Sequence, residues 1–409
     1  MDGMAGPLAA LRRTLELMPS PVPESPGLLV RDPFRYAEGI LILPPPLVPC
    51  LLLFDGRHDE NDLREVLTRI TGQAEVEALL GHMVGTLSDG GFLEDDVFEG
   101  LRDRKHTAFA QEPARAAVHA GSAYPSDADD LRRLLTRYLD EAPRPPGLAG
   151  NLVGIAVPHV SLEGGWRSYG AGYAALAPAH RDRTFVVLGT SHHGEPERFG
   201  LTRKPFRTPL GETTTDDALV RRLSEAAGEA ACVEDYCHAV EHSIEFQVVF
   251  LQHLYGPGVR VVPILCGPFA RATLAGGQPE DDAGVSRMLE ALRAIAVSER
   301  DRLLWVAGVD MAHVGRRYGD AFDARAGEGS LAEIAAEDRA RCARLSAGDA
   351  PGFWTAVQRD RDPLRWCGAS PLYTLLQAAQ PSGGALLHYE QWNIDPRSVV
   401  SCGAMAFQA

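Results

Sequence analysis

The chain has 409 residues, 45% hydrophobic and 23% charged, with a formal charge of −15. That balance excludes disordered and fibrous proteins, and the length exceeds what one hydrophobic core usually spans, which predicts two domains. So acidic a surface repels phosphate backbones, which argues against a nucleic-acid partner.

The start, Met1-Asp2-Gly3-Met4, lacks a basic segment followed by an apolar one, so no secretory signal is read there. The longest apolar run, Ile40 to Phe54, is broken by Pro44, Pro45, Pro46 and Pro49 and is too short for a membrane span. A cytoplasmic protein is expected. Seven cysteines with no Cys-x-x-Cys pair speak against a disulfide framework or a structural zinc knuckle.

The first ~105 residues read as a separate small α+β domain. Gly39 to Leu43 is expected as a strand, followed by Leu51 to Gly56. Leu63, Val66, Leu67 and Ile70 recur at helical spacing, with Asn61 or Asp62 as cap and Gly72 as stop. Val76, Leu79, Leu80, Met83 and Leu87 line a second helix ending at Gly90-Gly91, after which Phe92-Leu93-Glu94 begins a short strand. This order reads as a winged helix and resembles the PqqD-like modules that hold precursor peptides for modifying enzymes. The alternative is a structural or interaction appendage. Ten Lys plus Arg against eighteen Asp plus Glu in residues 1 to 110 argue against a DNA-reading role. Leu101 to Ala117, charged and Ala-rich, is expected as a linker.

Beyond it, Leu152 to Val157, Thr184 to Leu188, Val259 to Leu265 and Leu303 to Val306 are short apolar runs rich in β-branched residues, the pattern of strands buried on both faces. Asp127 to Leu139, Asp217 to Ala227 and Ser286 to Ala296 alternate with them as helices, which predicts an α/β domain with a mainly parallel or mixed central sheet flanked by helices.

In open α/β sheets the ligand crevice lies beyond the carboxyl ends of the strands. Three predicted strands release histidines there: Pro158-His159, Ser191-His192-His193 and Asp310-Met311-Ala312-His313. Neutral imidazole ligates zinc, copper, iron and nickel, and a thiolate beside it favours softer or redox-active metals. The thiolate candidate is Cys367, just before the helical run Leu372 to Ala379, where a helix N-terminus favours the ionised form. Cys266, ending a strand, is its rival. Glu241-His242-Ser243-Ile244-Glu245 is either an acidic first turn or a pocket wall in which His242 or Glu241 accepts a proton.

Seven ordered motifs carry a further resemblance: His119-Ala120-Gly121-Ser122-Ala123-Tyr124, Pro158-His159, Leu188-Gly189-Thr190-Ser191-His192-His193, Arg207-Thr208-Pro209-Leu210, Glu241-His242-Ser243-Ile244-Glu245, Asp310-x-x-His313 and Cys367-Gly368. Residues 114 to 409 resemble Memo-like proteins, whose bacterial members are often called system protein B of a set that includes a radical-SAM protein. That family shares the α/β fold of the class III extradiol dioxygenases. The resemblance implies that His159 and His192 take the two histidine positions of a non-haem metal site and that Cys367 replaces its carboxylate. It also implies iron or copper, rather than zinc, as the ion, with His313 as base and Asp310 orienting it. Where the family often has Cys-Gly-Arg-His-Pro this chain has Cys367-Gly368-Ala369-Ser370-Pro371, and Pro158-His159-Val160-Ser161 stands for Pro-His-Ala-Gly. The expectation is a metal-dependent oxidoreductase acting on a small molecule or peptide, with a radical-SAM or other pathway protein as partner. The alternatives are a non-catalytic member binding metal and proteins, and a zinc hydrolase using Glu241 or Glu245 as base.

Overall fold

The computed structural model describes residues 6–20, 22–37, 39–143 and 151–409. The chain divides into two compact units, Met1–Glu112 and Pro113–Ala409. No helix among the described residues is long and apolar enough to cross a membrane.

In the first unit β1 (Glu16–Pro19), β2 (Leu28–Arg31) and β3 (Leu41–Leu43) form an antiparallel sheet in sequence order. The segment Pro45–Leu53 is a 3-10 helix and not the start of a second strand, because closely spaced prolines remove the donors a ladder needs. Asp59 caps the helix Glu60–Thr71 through a reciprocal pairing with Asp62, and Gly72 ends it at φ 69°. Leu63 and Leu67 meet Leu80, Met83 and Leu87 of the helix Glu77–Asp89 in the unit's core; each such side chain contributes about 1.5–3 kcal/mol on burial.

Two expectations fail here. Phe92-Leu93-Glu94 forms a single antiparallel bridge, Leu93 to Leu11, and not a strand. The presumed linker is largely the helix Asp96–Gln111, capped by Asp95 and anchored by the buried Phe98 and Phe109. Two aromatic anchors at that spacing outweigh the charged, Ala-rich composition between them.

The second unit is built on a ten-stranded mixed sheet. Its strands are β4 (Leu152–Val157), β5 (Thr184–Thr190), β6 (Phe199–Leu201), β9 (Thr214–Thr215), β10 (Ala231–Val233), β11 (Arg260–Cys266), β12 (Leu303–Gly308), β13 (His313–Gly315), β14 (Gly383–Asp395) and β15 (Ser398–Gln408). A separate hairpin pairs β7 (Arg207–Thr208) with β8 (Gly211–Glu212). The main order is β10-β6-β11-β5-β12-β4-β15-β13, with β14 on β15 and β9 on β11. The centre, β11-β5-β12-β4, is parallel. The C-terminal hairpin β14–β15 then joins β4 antiparallel.

Both faces of that centre are covered, which is why its strands are apolar throughout. Val186, Leu188, Trp305 and Ala307 pack into a core shared with the helices Ala283–Ser298 and Ala369–Ala379. Phe185, of the opposite parity, stacks on Tyr255 of the helix Glu245–Tyr255 at 5.4 Å between ring centres. Phe250 of that helix lies between Tyr169 and Tyr173. At Gly308 a Cβ would fall 2.3 Å from the Ser243 carbonyl. The absent side chain therefore lets the segment before this helix rest on the end of β12.

Candidate metal centre

The carboxyl ends of β4, β5 and β12 bring together His159, His192 and Asp310, where the strand-end reading expects His313 as the third. His159 and Asp310 are buried. The Nδ1 of His159 donates to the Gly308 carbonyl at 2.9 Å, which leaves Nε2 as the free ring nitrogen. That Nε2 lies 3.3 Å from the sulfur of Cys367 and 3.5 Å from Asp310 Oδ2. Asp310 Oδ1 accepts the His159 backbone N–H at 3.0 Å.

Cys367 is 208 residues from His159 and arrives by close backbone approach. Gly368 N–H donates to the Asp310 carbonyl at 3.1 Å, and a Cβ on Gly368 would fall 2.5 Å from the Val309 Cβ. Thr190 Oγ1 donates to the Cys367 carbonyl at 3.0 Å from the end of β5.

His192 is held differently. Glu241, buried, accepts its backbone N–H at 2.9 Å and its Nδ1–H at 3.0 Å, so Nε2 again faces inward. The same carboxylate accepts the His242 N–H at 2.8 Å and sits 3.1 Å from His242 Nδ1. One acid thus orients two imidazoles, whose rings stack 5.0 Å apart at 13°. Donor atoms of His159, His192 and His242 lie within 4.8 Å of one another, and so do those of His159, Asp310 and Cys367. His159 belongs to both sets.

The electrostatics follow from this packing. Burial works against ionising Cys367, but the neighbouring His159 and His313 and hydrogen bonds from His159 and His192 bring its thiol down from 9.0 to about 5. Burial likewise disfavours the His159 cation, yet Asp310 and Cys367 raise it from 6.5 to about 9. Without a metal each partner therefore favours the other's charged form, thiolate at Cys367 and imidazolium at His159. Burial is also outweighed at His192, which Glu241 holds well above the usual histidine range, and at Glu241, which His192 holds well below the usual carboxylate range. His242 is pushed down by burial, although Glu241 works the other way.

Two anionic groups facing one imidazole nitrogen, with a second tethered imidazole alongside, form a donor set suited to a soft or redox-active cation. The expected trio His159, His192 and Cys367 is split between the two sets, with His159 common to both, His242 beside His192 and Asp310 beside Cys367.

His313 departs from expectation. Its Nδ1 faces the carbonyls of Met311 at 3.0 Å and Arg365 at 3.2 Å, so those carbonyls orient it while Asp310 meets His159. Glu245 is also not a free base: it is buried, paired with Arg115, and accepts from Tyr124 and from the His119 N–H at 3.1 Å. Cys266 ends β11 as a buried thiol pushed up to about 12 by burial, but it does lie in the wall of a cleft of about 400 Å³ beside the cluster. His192, Cys367, Phe269, Trp354 and Trp366 line the same cleft. A larger cavity, about 820 Å³, lies at the other end of the sheet, near Leu152 and Leu303 where β4 and β12 begin.

Sequence reading did not assign the shared clamp to Glu241, although its place directly before His242 carried the signal. Glu241→Gln is expected to weaken metal binding about 10–100-fold, because an amide offers a donor where two ring N–H groups need an acceptor; competition with a chelator measures this. The second expectation concerns the metal-free protein. Alkylation of Cys367 should stay constant down to near pH 5 and fall only below it, since the thiolate persists above the lowered value. In the urea-unfolded chain the fall should move toward pH 9.

Fold and cluster together define an α/β protein whose strand ends gather imidazoles, a carboxylate and a thiol. Residues 115–406 match the family model for Memo-like protein. The chain belongs to that family. It is 26% identical to a MEMO1 family protein of Aquifex aeolicus over 391 residues, covering 94% of this chain and 97% of that one, so the similarity runs through both units. A MEMO1 family protein of Pyrococcus furiosus is 32% identical over 220 residues (52% of this chain, 70% of its own length). One from Thermoplasma acidophilum is 24% identical over 281 residues (68% and 91%).

Proposed function

We propose that this protein is a metal-dependent oxidoreductase of the cytoplasm in which His159, His192 and Cys367 hold an iron or copper ion. The observation that carries this reading is the tethering of two imidazoles by their Nδ1 atoms, which turns both Nε2 atoms toward a thiol that ionises easily. When bound, the ion would supply redox chemistry toward dioxygen and substrate, and the thiolate would donate charge that tunes it.

The chain's own side chains handle substrate and protons. With Nδ1 of His313 committed to two carbonyls, its Nε2 is the nitrogen left to accept a proton. His242, whose cation burial disfavours, offers a second acceptor at its Nε2. Asp310 fixes the backbone at His159. Phe269, Trp354 and Trp366 give the cleft an apolar wall that takes a small molecule or a peptide side chain and keeps water from the reacting atoms. A peptide substrate would give the first unit a role in holding it, with a radical-SAM or other pathway protein as partner.

Elemental analysis of untagged protein, followed by oxygen uptake under reducing conditions with catechols and peptides, tests the reading. Iron or copper near one per chain with substrate-dependent uptake is the expected result. Zinc alone with no uptake would overturn it in favour of a binding protein.

A further inference from the structure

Resting on the proposed centre, we infer that Asp338 is a positioning residue: one buried carboxylate that ties together the two loops carrying Cys367 and the Asp310–His313 segment. Asp338 lies on the helix Leu331–Ser346, away from the cluster, and is fully buried. Its Oδ1 accepts the Trp366 indole N–H at 2.7 Å, and Trp366 is the residue directly before Cys367. Its Oδ2 accepts the Ser401 hydroxyl at 2.6 Å and the Tyr389 hydroxyl at 2.8 Å.

Ser401 carries the link to the second loop. Its Oγ accepts the Ala312 N–H at 2.8 Å, its N–H donates to the Ala312 carbonyl at 2.8 Å, and its carbonyl accepts the Met311 N–H at 2.9 Å. Met311 and Ala312 are the two residues between Asp310 and His313. A single side chain therefore reaches both loops that meet at the cluster.

The loop before Cys367 needs such a hold. Asp360, Arg361, Asp362 and Arg365 adopt φ of 52°, 62°, 53° and 52°, a conformation costly for residues other than glycine. Strain of that kind persists only where neighbours fix the chain. Asp362 Oδ2 accepts the Trp366 backbone N–H at 2.7 Å. Arg341, one turn from Asp338, pairs with Asp362 at 2.9 Å and lies over the Trp366 ring at 5.3 Å. Trp366 is thus gripped at its backbone and at its indole, and the thiol that follows it has little freedom.

Three substitutions separate positioning from mere stability. Asp338→Asn keeps the volume but replaces an acceptor with a donor. Trp366→Phe removes the indole N–H link toward Cys367 and trims a buried ring that also lines the cleft. Tyr389→Phe cuts a bond to the same carboxylate that reaches neither loop. In metal-free protein, Asp338→Asn and Trp366→Phe should both change the alkylation rate of Cys367 several-fold at unchanged pH, read by peptide mass spectrometry, while Tyr389→Phe leaves it at the wild-type rate. With cobalt(II) as probe, the first two should weaken binding about tenfold and diminish the thiolate-to-metal charge-transfer band.

Wild-type rates and an intact band in Trp366→Phe and Asp338→Asn would overturn the inference, and so would a Tyr389→Phe variant that behaves like Asp338→Asn. If Asp338→Asn does not fold, Trp366→Phe against Tyr389→Phe decides. A wild-type protein that takes up no cobalt would count against the proposed metal centre and leave the alkylation comparison to judge Asp338.

Discussion

His159→Ala should abolish metal binding, while Cys367→Ser and His242→Ala each leave a weakened site. His159 alone belongs to both sets of converging donors, one with His192 and His242 and one with Asp310 and Cys367. Its Nε2 faces the sulfur at 3.3 Å, and its Nδ1 is fixed to Gly308. Alanine removes that nitrogen and leaves Asp310 and Cys367 facing each other with no cation between them. Cys367 should then lose its main stabilising partner and its thiol should rise toward the ordinary value. Isothermal titration with iron(II) or copper, together with the alkylation profile, measures both effects. Retained tight binding in His159→Ala would show that the ion sits elsewhere.

Glu245→Ala should produce the largest loss of stability. Arg115 and Glu245 form an ion pair with both side chains almost fully buried. The remaining donors of Arg115 meet the carbonyls of His238 at 2.8 Å and Glu241 at 2.6 Å. Removing the acid strands a buried guanidinium and leaves the Tyr124 hydroxyl and the His119 N–H without their acceptor, a cost of about 3–5 kcal/mol. The midpoint of thermal unfolding should fall by about 6–15 °C. The double variant Arg115→Met/Glu245→Leu should recover much of that loss, because no charge is then left unpaired. A drop below about 1 kcal/mol in Glu245→Ala would contradict the account. The same pair bears on the centre, since Arg115 holds the backbone of Glu241, which in turn orients His192 and His242.

Much of this arrangement was legible in the sequence where local pattern and tertiary role coincide. The four apolar runs became β4, β5, β11 and β12, and histidines follow the ends of β4, β5 and β12 because parallel sheets present those ends to one crevice. The hairpin β14–β15 was not read. Its first strand, Gly383–Asp395, mixes Leu386, His388, Glu390 and Trp392 on successive positions of one parity, so no clean alternation marks it. The linker assigned to 101–117 failed because Phe98 and Phe109 act at a distance that composition averages away.

Motif order singled out His159, His192 and Cys367 as the expected ligands, but not the residues that orient them. Glu241 and Asp338 act through partners 49 and 28 residues away, contacts that no local spacing encodes. His313 illustrates the same limit. Proximity in sequence suggested Asp310 as its partner, whereas the turn between them sends the carboxylate to His159 and the imidazole to the carbonyls of Met311 and Arg365.

X-ray absorption at the edge of the bound metal tests most directly whether Cys367 completes the set with His159 and His192. One sulfur neighbour at about 2.3 Å beside nitrogen neighbours is expected, lost in Cys367→Ser. A shell of nitrogen and oxygen alone in the wild-type protein would contradict it and point to the three imidazoles of His159, His192 and His242 instead.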